Sequence, residues 1–225
     1  FDPGTNWCYS LATDVCGALV EIISGQPFSE FLCDRLFEPL DMSDPSFTIS
    51  DEKVPRLAAN YERDQDKNLV LIDDPVESIY ANTRRLQSGG GGLLSTTADY
   101  AKFCEMLLGG GKYNGCRIIG DRTLKMMCQN HLPMNADLAS VAMGSFSETA
   151  YEGVGFGLGF ASTLSEVNAH NLGEGDFYWG GMASTIFWVD PRESMFCVFM
   201  TQLVPSGTFN FRGQLKSIVY SSIED

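Results

Sequence analysis

The sequence predicts an α+β fold. Residues 1–150 read as a mainly helical region with a long acidic connection, and residues 151–225 as an antiparallel sheet with a C-terminal helix, the two packed as one unit. Three observations carry this. Apolar residues recur at helical spacing in the first part, the period drops to two after about residue 150, and a last helical stripe closes the chain. With 225 residues, 44% of them apolar and 12% aromatic, the chain has material for a substantial core.

Thr13–Ser24 places Val15, Ala18, Leu19, Ile22 and Ile23 on one face, which predicts a helix with a buried stripe, capped by Gly25 and stopped by Pro27. A shorter helix is expected over Ser29–Phe37, ahead of Pro39. Residues 41–88 are acidic, contain Pro45, Pro55 and Pro75, and hold no sustained period, so they read as an irregular connection with one hairpin around Asp64–Lys67. Thr96 followed by Asp99 resembles a capping box, and Tyr100, Phe103, Cys104, Leu107 and Leu108 then form a stripe that ends at Gly109-Gly110-Gly111. A further helix is expected over Asp121–Asn130. Beyond residue 150, Val154, Phe156, Leu158 and Phe160 alternate with glycines, the pattern of one strand with a bulky and a bare face. Asp176–Gly180, Ala183–Val189 and Met195–Gln202 are further strands, the last two joined by a turn at Asp190-Pro191-Arg192-Glu193. Phe211, Leu215, Ile218, Val219 and Ile223 align on the closing helix.

Charge and composition exclude several function classes. Acidic residues outnumber basic ones 29 to 15, a net charge of −14, so a nucleic-acid backbone would be repelled. No apolar run approaches the ~20 residues of a membrane span, so no membrane partner is expected. Seven scattered cysteines without C-x-x-C spacing read as buried thiols in a reducing compartment, which suggests the cytoplasm. His131 and His170 are far apart and lack ligand-spaced partners, so neither a metal nor a cofactor is expected. No G-x-S-x-G, H-E-x-x-H or Walker sequence is present.

Four segments nevertheless carry a resemblance. Pro3-Gly4-Thr5-Asn6-Trp7-Cys8-Tyr9-Ser10 resembles the P-G-T-x-x-x-Y-S segment of the serine β-lactamase-like hydrolases, a group that includes class C β-lactamases, D-alanyl-D-alanine carboxypeptidases and family VIII carboxylesterases. Phe37-Glu38-Pro39-Leu40-Asp41-Met42 is similar to their F-x-P-L-G-M, and Gly89-Gly90-Gly91-Gly92-Leu93-Leu94-Ser95-Thr96-Thr97-Ala98-Asp99-Tyr100 resembles their G-G-G-L-x-S-T-x-x-D-Y with one extra glycine at its start. Tyr178-Trp179-Gly180-Gly181 stands where β-lactamases carry K-T-G, in the W-G-G form of the esterase branch. Taken singly, each segment has a plain structural reading; their joint order along the whole chain gives the resemblance its weight.

The resemblance implies a β-lactamase/transpeptidase-like fold and two-step acyl transfer, in which the serine of an S-x-x-K motif attacks an ester or amide carbonyl. By resemblance Tyr9 is the tyrosine that manages the serine proton. Trp179, Gly180 and Gly181 line the substrate, and the N–H of Met182 is the second oxyanion donor. Trp179 in place of the usual Lys or His removes a cation that would hold a β-lactam carboxylate, and Leu11 replaces an amide-binding Asn. Both departures favour small carboxylic esters, with weak β-lactam hydrolysis.

The S-x-x-K helix normally precedes the tyrosine segment, but the only S-x-x-K in the chain is Ser50-Asp51-Glu52-Lys53, after Tyr9. Asp51 and Glu52 would keep Lys53 protonated, the wrong direction for a base. The chain therefore reads as a family member lacking its opening segment, with a sheet edge left open through which it could self-associate. The alternative expectation is a catalytically impaired member acting as a binding or interaction protein.

Overall fold

The structure is a computed structural model and describes residues 1–81, 86–143 and 152–224. The predicted change of period near residue 150 lies outside them. Helix α1 (Ala12–Ser24) ends where Gly25 adopts φ +71°, a left-handed backbone that costs glycine nothing, and the Gly25 amide closes on Glu21 O. Helix α2 (Phe28–Leu32) starts after Pro27 and continues into one wide π-helical turn, Cys33–Phe37. The predicted hairpin follows as β1 (Asn60–Arg63) and β2 (Leu69–Asp73), with Asp64 accepting the Asn68 amide at 2.8 Å across the turn.

Helix α3 (Thr97–Leu108) forms only half of the predicted box. The Thr96 hydroxyl accepts the Asp99 amide at 3.2 Å, but the Asp99 carboxylate accepts the Asp44 amide at 2.8 Å and pairs with Lys102 at 3.1 Å. Asp is one methylene shorter than the Glu that normally reaches back. Beyond α3 come the short hairpin β3 (Lys112–Tyr113) and β4 (Cys116–Arg117), then α4 (Asp121–Cys128) and α5 (Leu138–Val141).

A five-stranded antiparallel sheet is built from β5 (Val154–Phe156), β6 (Ala161–Thr163), β7 (Phe177–Gly180), β8 (Ile186–Asp190) and β9 (Met195–Phe199), neighbours in that order. The short helix α6 (Glu166–Ala169) lies between β6 and β7. β9 pairs with β8 and, among the described residues, has no strand on its other side. The chain then leaves this sheet: β10 (Leu203–Val204) pairs in parallel with β1, and α7 (Phe211–Tyr220) closes the fold.

Alternation along β8 sets the layers. Phe187 and Val189 face a cluster with Phe37, Leu40, Cys104, Met106, Leu107 and Leu124, whereas Ile186 and Trp188 face Leu138, Val141 and Val154, packed against Leu215 and Val219 of α7. The second layer is also tied by polar groups. Lys216 of α7 and Asp176 form a buried ion pair, Thr163 donates to Asp176 at 2.7 Å, and Tyr220 donates to Asp190 at 2.5 Å. Burial pushes the Asp176 carboxyl up against the pull of Lys216.

Three expectations are corrected. The α1 stripe is not buried: Ile22 is 76% and Ile23 82% exposed, with Val15 and Leu19 also outward. The buried face of α1 is instead the one bearing Gly17, where the chain at Gly89 comes so close that a Cβ would meet its backbone at 3.3 Å. The glycine-alternating segment is not one strand, because Gly159 (φ +102°) turns the chain and makes β5 and β6 a hairpin. Its bare face admits backbone: a Cβ on Gly157 would lie 2.1 Å from Met127 O. Finally, all seven cysteines are free, but Cys8 and Cys16 are exposed rather than buried.

Candidate active site

Tyr9 lies between a tethered segment and the start of α1. Upstream, the Trp7 amide donates to Val141 O at 2.9 Å and Trp7 O accepts the Met143 amide at 2.8 Å, a parallel bridge that fastens the segment to the end of α5. Downstream, the Ser10 hydroxyl accepts the Ala12 amide at 3.2 Å and opens the helix. Between these anchors the Tyr9 side chain is 45% exposed.

The structure brings Tyr9 and Trp179 together. Their rings stack with centroids 6.2 Å apart and planes 13° apart. Phe156 meets the edge of Trp179 at 5.4 Å and Trp7 at 5.3 Å, so four aromatic rings from three separate segments form one wall. Trp7 and Phe156 were not singled out from the sequence, where each reads as an ordinary apolar position. Met127 to Asn130 supply the backing, since Asn130 Oδ1 accepts the Phe156 amide at 3.1 Å.

Gly180 and Gly181 leave β7 beside this wall, and side chains approach both closely. A Cβ on Gly180 would lie 2.5 Å from the Arg212 guanidinium, and one on Gly181 would lie 2.3 Å from the Thr185 hydroxyl. Arg212, at the start of α7, donates to Gly181 O at 2.9 Å and Thr185 O at 3.1 Å, clamping both sides of the β7–β8 turn. Nothing in the sequence pointed to Arg212, because its partners are backbone carbonyls. The amides of Gly181 and Ser184 are spent within the turn, on Thr185 O and Gly181 O. Met182 makes neither of those bonds and is 70% exposed at the turn's tip.

A cleft of about 350 Å³ opens beside Tyr9, lined by Ser10, Leu11, Thr13, Asp14, Ser88, Gly90 and Gly91. The glycine run after Ser88 packs directly on the first turn of α1: a Cβ on Gly89 would lie 2.1 Å from Thr13 O. Ser88 donates a short hydrogen bond to Asp14 and accepts the Gly90 amide at 3.0 Å, so one carboxylate fixes the loop. Asp14 and Ser88 were missed because sequence separation hides the pair.

The serine of the only S-x-x-K sequence, Ser50, lies elsewhere. Lys53 donates to Ser43 O and pairs with Asp44, both at 3.0 Å, and Arg56 forks onto the same carboxylate at 2.9 and 2.7 Å. Those cations, Arg56 first, hold the Asp44 carboxyl well below the usual carboxylate range. Ser50 contributes backbone to this structural turn, its carbonyl accepting the Lys53 amide at 2.8 Å. Among the described residues no cluster of His, Cys, Asp or Glu has the arrangement of a metal site, and no helix is long and apolar enough to cross a membrane.

Comparison with known proteins bears on the fold and the family. Lovastatin esterase of Penicillium rubens is 30% identical over 209 residues, covering 88% of this chain and 50% of the esterase. EstCE1, a hydrolase with promiscuous acyltransferase activity, superposes with a TM-score of 0.79 at 26% identity, over 98% of this chain and 57% of that one. Simvastatin synthase from Aspergillus terreus shares the fold, with a TM-score of 0.75 at 24% identity, over 91% of this chain and 52% of the synthase. The chain spans about half the length of the curated relatives it matches. A sequence model described as Beta-lactamase matches residues 1–217, so the fold is β-lactamase/transpeptidase-like and the chain belongs to the Beta-lactamase family.

Proposed function

We propose that this chain carries the proton-transfer and substrate-binding side of a serine-hydrolase site that acts on small carboxylic esters through an acyl-enzyme. The stack of Tyr9 on Trp179 is the observation that carries the reading. It sets a phenol against an aromatic wall, next to a turn whose exposed tip holds the Met182 amide. In this reading Tyr9 relays the proton of the attacking serine. Gly180 and Gly181 let the ester lie along the end of β7, and the Met182 N–H supplies one of two donors to the oxyanion. The names of the esterase and hydrolase relatives support the choice of reaction. Trp179 lacks a cation for a β-lactam carboxylate, so lactam hydrolysis is the weaker activity. The nucleophile is not assigned to Ser50, because Lys53 beside it is held by Asp44 and Ser43.

Hydrolysis of p-nitrophenyl butyrate by the full-length protein tests this. Tyr9→Phe keeps the ring stack and removes the hydroxyl, so kcat is expected to fall by about 100-fold or more with KM little changed. An unchanged kcat would remove Tyr9 from the mechanism. If a fluorophosphonate probe labels no serine while ligands still bind, the chain acts as a binding protein instead.

A further inference from the structure

The cleft beside Tyr9 has a chemical asymmetry that ester hydrolysis does not require. Among its described lining residues Asp14 is the only charged side chain; the rest are hydroxyls, Leu11, glycine backbone and the Tyr9 ring. The carboxylate is held in place rather than free to swing away, since Ser88 donates to Oδ1 while Ser88 itself is fixed by the Gly90 amide. Oδ2 is turned toward the bare side of Gly90, 3.0 Å from where a Cβ would stand. A larger residue at position 90 would therefore crowd that oxygen. The Tyr9 ring lines the same cleft, and Trp179 stacks against Tyr9.

A fixed carboxylate and an aromatic face at one cleft is the combination that recognises an ammonium group. The carboxylate supplies charge, the ring quadrupole adds attraction to a cation, and both repel an anion. The chain's net charge of −14 acts in the same sense at longer range.

We propose that Asp14 is the specificity-determining residue of this cleft, and that it selects small amphiphilic ligands bearing an ammonium group over their neutral and carboxylate counterparts. This rests on the reading that the Tyr9 cleft receives the substrate. It narrows that substrate to esters with an amine in the part nearest Asp14.

Trp179 lies against Tyr9, so quenching of tryptophan fluorescence in the full-length protein reports binding without any need for turnover. Three ligands of one shape serve as probes: 4-phenylbutylamine, 4-phenyl-1-butanol and 4-phenylbutyrate. The amine is expected to bind about tenfold more tightly than the carboxylate, with the alcohol between, and the gap should narrow as salt is raised. Asp14→Asn keeps an acceptor for Ser88 and removes the charge; it should bring the three within about twofold and leave the alcohol unchanged. Ser88→Ala keeps the charge and should keep the order. A wild-type protein that binds the alcohol without preferring the amine, or a preference insensitive to both salt and Asp14→Asn, overturns the inference and leaves the ester reading intact. If none of the three ligands binds, the cleft is not a ligand site and both fall.

Discussion

Cys104 and Cys8 show how far one residue type can diverge within this chain. Cys104 is fully enclosed on the inner face of α3, and burial pushes its thiol up to about 12. Cys8 stands exposed one position before Tyr9, and Cys16 is exposed on α1. Thiolate reactivity follows exposure and pKa. Brief treatment of the native protein with N-ethylmaleimide should therefore modify Cys8 and Cys16 and spare Cys104, read out by mass spectrometry of tryptic peptides; early labelling of Cys104 would contradict the packing. The sequence contained no signal for this division, since a thiol carries no pattern of its own. The same holds at the site. Tyr9, Trp179, Gly180 and Gly181 were singled out as candidates because each lies in a short motif of recognisable order. Asp14, Ser88 and Arg212 were not, because their roles arise from contacts made across 27 to 74 positions of the chain.

Among the elements, α3 and α4 follow their sequence patterns closely, and α1 shows why a pattern can mislead. Its apolar stripe has the spacing of a core-facing helix, yet packing is decided by Gly17, whose missing side chain lets the Gly89 backbone approach. Helical period tells which residues share a face and not which face is covered. The Val154–Phe160 alternation misleads differently. Period two was read correctly, but the backbone at Gly159 was a turn that alternation cannot reveal. Glycines in this chain differ in consequence. Gly157→Ala would drive a Cβ into the Met127 carbonyl at 2.1 Å and should cost about 1–3 kcal/mol in urea unfolding. Gly91→Ala, with nothing within 4 Å, should be nearly neutral. Equal effects of the two would refute the close approach of α4 to β5.

For the molecule as a whole, the layers depend on what joins α7 to the sheet. Lys216 and Asp176 are almost wholly buried, and each is the other's compensation. Lys216→Met alone leaves an unpaired buried carboxylate and should lower stability by about 3–5 kcal/mol, whereas Lys216→Met combined with Asp176→Leu should recover much of the loss. A double variant no better than the single one would show that the pair is not coupled. The α+β layout and the β1–β2 hairpin were legible in the sequence, but the pairing of β10 with β1 was not, since a two-residue pairing leaves no period to read. That pairing has a consequence in time. Tyr61 of β1 pairs with Leu203, about 140 residues further on. At a synthesis rate of about 5–20 residues per second, β1 emerges from the ribosome on the order of ten seconds before its parallel partner exists. During that interval the β1–β2 hairpin, with Leu69, Leu71 and Ile72 all outward, stands as an unfinished edge in the nascent chain.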